Sequence, residues 1–312
     1  MLVQEVATIG ITVNDLDRAI AFYTKALSFT KISDVEVQGQ EYDQLLNLVG
    51  VRLRLVRMQL GEEKIELIQH LNHQGKPIPI DSQSNDLWFQ HIAIAVADMD
   101  QAYQKLQKFN ITPVSTSPQK LPDYIAAAAG IEAFYFRDPD GNTLELIHFP
   151  SDKGDPRWQT PTEQLFLGID HTAIAISDTE TSRQFYQDLL GLDVAGQSEN
   201  YGTEQENLNN VKGARLLITG LTATRGIGVE FLEYLQPNNA RPIPEDTTPP
   251  DLIHWETTFV VKSADLAMEK LLQSGCQFIS NRVVEITEPT LDFKRAFLIR
   301  DPDGHVLRIV QC

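Results

Sequence analysis

Cysteine is scarce in this 312-residue chain: the two present, Cys276 and Cys312, exclude a disulfide framework and a thiolate metal cluster, and each reads as an incidental thiol. Long apolar runs are missing too. No stretch approaches the ~18 consecutive apolar residues of a membrane span, and Met1-Leu2-Val3-Gln4-Glu5 lacks the basic-then-apolar pattern of a secretion signal. The expectation is a cytoplasmic protein with no membrane partner. Positive charge is in deficit, with 26 Lys and Arg against 43 Asp and Glu and a formal net charge of −17. That balance argues against nucleic acid as a partner and favours a small molecule. Hydrophobic residues, by contrast, make up 42% of the chain, enough for packed cores, and the length suits two domains.

Two similar stretches stand out, His91-Ile92-Ala93-Ile94-Ala95-Val96 and His171-Thr172-Ala173-Ile174-Ala175-Ile176. In a strand, alternation puts His91, Ala93 and Ala95 on one face and Ile92, Ile94 and Val96 on the other. One face is bulky and apolar. The other sets small residues beside an imidazole and leaves open volume, as the lining of a cavity does.

These stretches belong to a repeat. Thr8 and Phe22-Tyr23 recur as His171 and Phe185-Tyr186, and Arg137-Asp138-Pro139-Asp140-Gly141 recurs as Arg300-Asp301-Pro302-Asp303-Gly304, each 163 residues later. Residues 6–27 read as a strand, an Asp15 N-cap and an amphipathic helix, with Asp178 capping the counterpart. The Asp-Gly steps read as hairpin turns, joining 133–136 to 143–149 and 296–299 to 306–310. Val96-Ala97-Asp98 also matches Val13-Asn14-Asp15, so each half is itself duplicated. Four βαβββ units are expected, at about 4–74, 86–150, 167–237 and 251–312, in two domains, 1–150 and 167–312, with 151–166 as linker. Polar, Pro-rich stretches at 73–85, 151–162 and 238–250 connect the units. The fold class is α+β, with mostly antiparallel sheets and helices on their outer faces.

Aligning the units gives each two equivalent positions. The first-strand positions are Thr8, His91, His171 and Glu256; the last-strand positions are Glu66, Glu145, Glu230 and Arg308. A carboxylate flanked by aliphatics on a strand needs a partner, because burying it unpaired is costly. A cation is such a partner. Singly, each Glu or His would read as an ordinary solvated or hydrogen-bonded side chain; recurrence at the same positions is what points to ligands.

With these motifs in view, and with Leu190-Gly191-Leu192 after the helix and Asp138-Pro139-Asp140-Gly141-Asn142-Thr143-Leu144-Glu145-Leu146 ending a unit, the chain resembles the vicinal oxygen chelate superfamily. That superfamily includes glyoxalase I, extradiol dioxygenases and the bleomycin resistance proteins. The resemblance implies that pairs of units curl into cups, and that metal ligands come from the first and last strands. If units 2 and 3 share a cup, it holds His91, Glu145, His171 and Glu230, two imidazoles and two carboxylates. The other cup then holds Thr8, Glu66, Glu256 and Arg308, with arginine in place of the metal's charge. Pairing in chain order instead gives a three-ligand site of Glu66, His91 and Glu145, and sets Arg308 among ligands in the second cup. The inner pairing accounts for all eight residues and is the expectation.

The ligand set suits one divalent transition metal, Zn²⁺, Ni²⁺, Co²⁺, Mn²⁺ or Fe²⁺. The resemblance implies a metal-dependent lyase or isomerase whose substrate chelates the metal through vicinal oxygens, with Glu145 or Glu230 as catalytic base; a homodimer is compatible with it. Ala95 and Ala175 stand where bacterial glyoxalase I carries an arginine that helps hold glutathione, which argues against glutathione hemithioacetal as substrate. The alternatives are an extradiol-type dioxygenase, of whose triad only His171 is in place, and a metal-free binding protein of the bleomycin-resistance type. Among other residues, His70 has the parity of Glu66 and is expected to face a cup, His148 an outer face, and His305 solvent. The apolar segment 121–130 reads equally as a lid or as an extra helical turn.

Overall fold

The computed structural model describes residues 2–109 and 111–312. Each unit opens on a strand that runs into a side-chain-capped helix. Asp15, Asp98, Asp178 and Ser263 accept from the backbone N–H of Arg18, Gln101, Thr181 and Leu266, which fixes the starts of the helices Leu16–Leu27, Met99–Leu106, Thr179–Arg183 and Ala264–Gln273. The third of these continues as a π-helical stretch, Gln184–Leu189. Units 1 and 3 carry an additional short helix, Gln40–Leu46 and Thr203–Asn209. No helix among the described residues is long and apolar enough to cross a membrane.

The strands form two curled sheets, and each draws on both halves of the sequence. In one, the first strand of unit 3 (Phe166–Ile176) pairs antiparallel with that of unit 2 (Gln90–Val96), with Ala173 opposite His91 and His171 opposite Ala93. In the other, the first strand of unit 1 (Val3–Thr12) pairs antiparallel with that of unit 4 (Trp255–Val261), and Thr8 meets Thr258. Units 2 and 3 therefore share one cup, and units 1 and 4 the other. Within a unit, the first strand runs parallel to the last, which sets Ala93 beside Glu145 and Ala173 beside Glu230.

Alternation along the seam strands divides the side chains as their pattern requires. Ile92, Ile94, Val96, Ile174 and Ile176 join Ile9, Ile11 and Phe259 of the other sheet, and the helix residues Phe22, Tyr23 and Tyr186, in one large core. The helices thus cover the faces opposite the cups. Each cup carries separate apolar clusters: Leu53, Leu55, Leu291 and Phe293 in the outer one, and Phe89, Tyr135, Leu216 and Leu232 in the inner one.

The repeated motifs tie the sheets together. Tyr23 Oη donates to Asp138 Oδ2 at 3.2 Å, and Tyr186 Oη donates to Asp301 Oδ2 at 3.0 Å, so the helix of one unit holds the Asp-Pro-Asp-Gly turn of the next. Burial raises the Asp138 carboxyl to about 6 and the Tyr23 phenol well above its ordinary value. Here one expectation fails. His305, expected at the surface after its turn, is buried, and its Nε2 donates to the Ala175 carbonyl at 2.8 Å. The turn is pulled inward against unit 3 rather than left in solvent.

Candidate metal centre

The antiparallel seam sets His91 and His171 diagonally across the inner cup, with ring centroids 5.8 Å apart, and the parallel last strands bring a carboxylate beside each. His91 Nε2 lies 3.0 Å from Glu145 Oε2, His171 Nε2 lies 3.6 Å from the same oxygen, and His171 Nε2 lies 3.6 Å from Glu230 Oε1. Ligand atoms of His91, Glu145 and His171 all fall within 4.8 Å of one another, and all three residues are buried. Glu230 reaches His171 and stands at the edge of this group, lining the cavity. Two of the four sequence-predicted ligands are therefore imidazoles facing one shared carboxylate, with the fourth residue beside them.

The donor chemistry fits a cation. Among the described residues, neither His91 Nε2 nor His171 Nε2 has a hydrogen-bond partner of good geometry, although Glu145 Oε2 lies 3.0 Å and 3.6 Å from them. Orphaned ring nitrogens at that depth are costly unless something fills the space between them. Bonds of about 2.0–2.2 Å to one ion place neighbouring ligand atoms roughly 3–4.4 Å apart, and the separations at Glu145 lie in that range.

The surroundings prepare each group differently. Burial lowers the His91 imidazole and outweighs the pull of Glu145, so the ring stays neutral and keeps a lone pair to offer. Burial also opposes charge on His171, but Glu230, Asp170 and Glu145 together push its imidazole up to about 10. Burial lifts the Glu230 carboxyl to about 7 against the opposing effect of His171.

Three neighbours escaped the sequence reading. Asp170 Oδ2 accepts from His171 Nδ1 at 2.9 Å, and Asp170 Oδ1 accepts from Trp158 Nε1 at 2.6 Å, so a connector residue orients the imidazole through a carboxylate. Tyr135 lies opposite Glu145 across the hairpin and lines the cavity. Its signal was available in the register of the Asp-Gly hairpin. Asp170 left only an interruption of the apolar strand pattern, and Trp158 left none, since its partner is across a connector.

The cavity in front of Glu145, His171 and Glu230 has a volume of about 330 Å³. It does not lie over the alanines of the seam, as the sequence suggested. Ala93 and Ala95 are buried in a cluster with Ile147, against which Phe149, Trp158 and Leu167 pack, and Ala173 and Ala175 lie in a cluster with Phe89 and Tyr135. The open volume is bounded instead by unit 3, where Gly196 and Gly220 leave room, and by the segment 121–130, whose Leu121, Ala127 and Ala128 form a wall. That segment is a run of turns without a helix.

The outer cup holds the same frame with different contents. Arg308 Nη1 lies 2.6 Å from Glu66 Oε1 and 3.4 Å from Glu256 Oε2, and Arg57 Nε lies 3.5 Å from Glu66 Oε2. Arg57 is opposite Glu66 on the neighbouring strand, where the inner cup has Gly220 opposite Glu230. Two guanidinium groups thus take the carboxylates that a metal would otherwise hold. Side chains including Tyr42, Leu291 and Phe293 fill the remainder, leaving about 20 Å³. His70 lines this outer cup, not the inner one, and burial lowers its imidazole to about 4.

Comparison with known proteins agrees with this architecture. The model of the Glyoxalase/Bleomycin resistance protein/Dioxygenase superfamily matches residues 5–146 and again 168–309. Glyoxalase I from Zea mays superposes with a TM-score of 0.63 at 15% identity, covering 99% of this chain and 92% of that one. A putative dioxygenase from Bacillus subtilis subsp. subtilis str. 168 gives 0.60 at 13% identity, covering 99% and 86%. At these identities the likeness is one of fold. No curated protein matches the chain by sequence. Two family-model matches spanning both halves place the chain in the Glyoxalase/Bleomycin resistance protein/Dioxygenase superfamily.

Proposed function

We propose, on the premise of that membership, that the protein is a metal-dependent lyase or isomerase of glyoxalase type, acting on a small substrate with two adjacent oxygens. The observation that carries this reading is the convergence of His91, Glu145 and His171 in the inner cup, with both facing ring nitrogens unpartnered. His91, Glu145 and His171 would hold a divalent ion, which would supply positive charge to the two adjacent substrate oxygens and so favour loss of a proton from a neighbouring C–H.

The chain's own residues supply the rest. Glu230 is the base: it lines the cavity at the edge of the ligand group, its Oε1 3.6 Å from His171 Nε2, with a face open to substrate. Burial and the charges of Glu145 and Glu230 keep the Tyr135 phenol protonated, so it serves as a hydrogen-bond donor at the cavity wall. Leu121 and Ala128, both buried, cover one side of the cavity with apolar surface. Ala95 and Ala175 offer no arginine and are covered by other side chains, which argues against glutathione hemithioacetal as substrate. The ring-cleaving alternative is disfavoured because the first strands of units 3 and 4 belong to different sheets.

Metal analysis and isotope exchange test the reading. Protein reconstituted with each of the five ions should take up about one equivalent per chain, and His91→Ala and His171→Ala should each abolish that same equivalent. Glu230→Gln should retain metal and lose roughly 100-fold in the rate at which hydroxyacetone exchanges its C–H protons in D₂O. Failure of wild type to bind any of the ions ends the enzyme reading and returns the cup to ligand sequestration. Normal metal binding by His171→Ala ends the shared site.

A further inference from the structure

The inner cavity has two chemically different walls. Leu121, Ala128 and Ile147 of unit 2 are aliphatic, and unit 3 contributes the amides of Gln197, Asn200 and Gln205 beside the apolar Leu208 and Ile218. The amide wall is fixed in advance: Asn200 Nδ2 donates to Gln205 Oε1 at 3.0 Å, Gln205 Nε2 donates to Asn209 Oδ1, and Gln197 Nε2 donates to Thr219 Oγ1 at 3.0 Å. Asn200 and Gln205 are both buried. None of the described residues lining the cavity is a lysine or an arginine. The arginines of this frame sit in the outer cup, engaged with Glu66 and Glu256.

Charge balance then selects the substrate. The lining carries the carboxylates of Glu145 and Glu230, with Asp170 behind His171, in a chain whose formal charge is −17. A carboxylate or phosphate on the part of the substrate away from the two chelating oxygens would enter a cavity with no lysine or arginine to pair with, near Glu230. Burying such a group unpaired is costly. We infer, building on the metal-dependent reading above, that the substrate is uncharged: vicinal oxygens at one end, an apolar body against the aliphatic wall, and neutral hydrogen-bonding groups toward the amides. At the ~30 Å³ that a water molecule occupies in the liquid, a cavity of about 330 Å³ takes on the order of ten heavy atoms.

Two probes that share vicinal oxygens and differ in charge decide the matter. Full-length protein loaded with redox-inert Zn²⁺ is titrated calorimetrically with 4-methylcatechol and with 3,4-dihydroxybenzoate. The neutral probe should bind at least about tenfold more tightly. Ile218→Lys places an ammonium on the cavity wall and should narrow or reverse that ratio at unchanged zinc stoichiometry. Ser198→Lys, on the paired strand, is the second variant should Ile218→Lys fail to fold. Equal affinity, preference for the carboxylate, or binding of neither probe by zinc-loaded wild type overturns the inference alone. Failure to take up zinc or any other of the five ions overturns the metal reading and the inference with it.

Discussion

Asp170 and Trp158 show how much of the candidate metal site lies outside its proposed ligands. Trp158 comes from the connector between the halves, stacks under the Arg157 guanidinium at 3.9 Å, packs against the cluster of Ala93, Ala95 and Ile147, and donates to the carboxylate that orients His171. Partners of this kind typically change metal affinity by about 10–100-fold. Trp158→Phe keeps most of the packing and removes only the N–H, and Asp170→Asn removes the carboxylate. Both are expected to weaken zinc affinity by about tenfold or more in a chelator competition, while the melting temperature of the metal-free protein changes little. A fall in melting temperature at unchanged zinc affinity would show that Trp158 only fills space. Residue identity at the eight repeated positions was legible in the sequence because polarity at a fixed phase of a strand survives any tertiary arrangement. The tryptophan was not legible, since its partner is chosen by how a connector folds back.

At the scale of elements, the segment 121–130 and the strand Asp193–Tyr201 close on each other over the cavity. Tyr124 Oη lies 3.4 Å from both the Tyr201 carbonyl and Glu204 Oε2, and the two tyrosine rings are 5.3 Å apart. Lys153 Nζ ties the same segment to the connector through the Ala126 carbonyl at 3.0 Å. Gly202 makes the approach feasible. It has a φ of 96°, and a Cβ there would sit 2.2 Å from Tyr124 Oη. Gly202→Ala should cost about 1–3 kcal/mol from backbone strain and also push the tyrosine off. Amide exchange in 121–130 should then quicken more than elsewhere, whereas Gly202→Ala combined with Tyr124→Ala should show the strain without the clash. Uniform loss of protection would mean that this contact does not hold the wall. The sequence left a lid and a helical turn equally open here, because alanine-rich composition fits both and the contact that decides is 77 residues away.

For the whole molecule, the two sheets are held to each other by a shared core and by paired tyrosine–aspartate bonds. Tyr23 reaches Asp138 and Tyr186 reaches Asp301, each bond joining units that belong to different sheets. Removing either hydroxyl leaves a buried carboxyl with one partner fewer, a loss of about 1–3 kcal/mol. Tyr23→Phe and Tyr186→Phe should each lower stability by that amount in chemical denaturation, and the double variant should lose the sum, because the sites share no partner. A double variant no worse than either single one would mean that the two ties fail together. The Phe-Tyr and Asp-Pro-Asp-Gly motifs, conspicuous in the sequence as repeats, are thus the two sides of one structural bond.

Periodicity, capping residues and the 163-residue repeat determined from sequence alone the duplicated α+β frame, the starts of its capped helices and the phase of the two seam strands, but not the burial of His305 or the place of the cavity. The first three are local or translational properties, carried by each segment on its own. Partner choice was different. Composition of the seam strands alone allows either combination, only the contents of the eight positions favoured the inner one, and the arrangement that forms sets strands 70 or more residues apart side by side, with His91 opposite Ala173. The contents of each cup were likewise decided in three dimensions. Gly220 faces Glu230 in one, Arg57 faces Glu66 in the other, and whether a cavity remains depends on side chains that meet only when both halves have folded together.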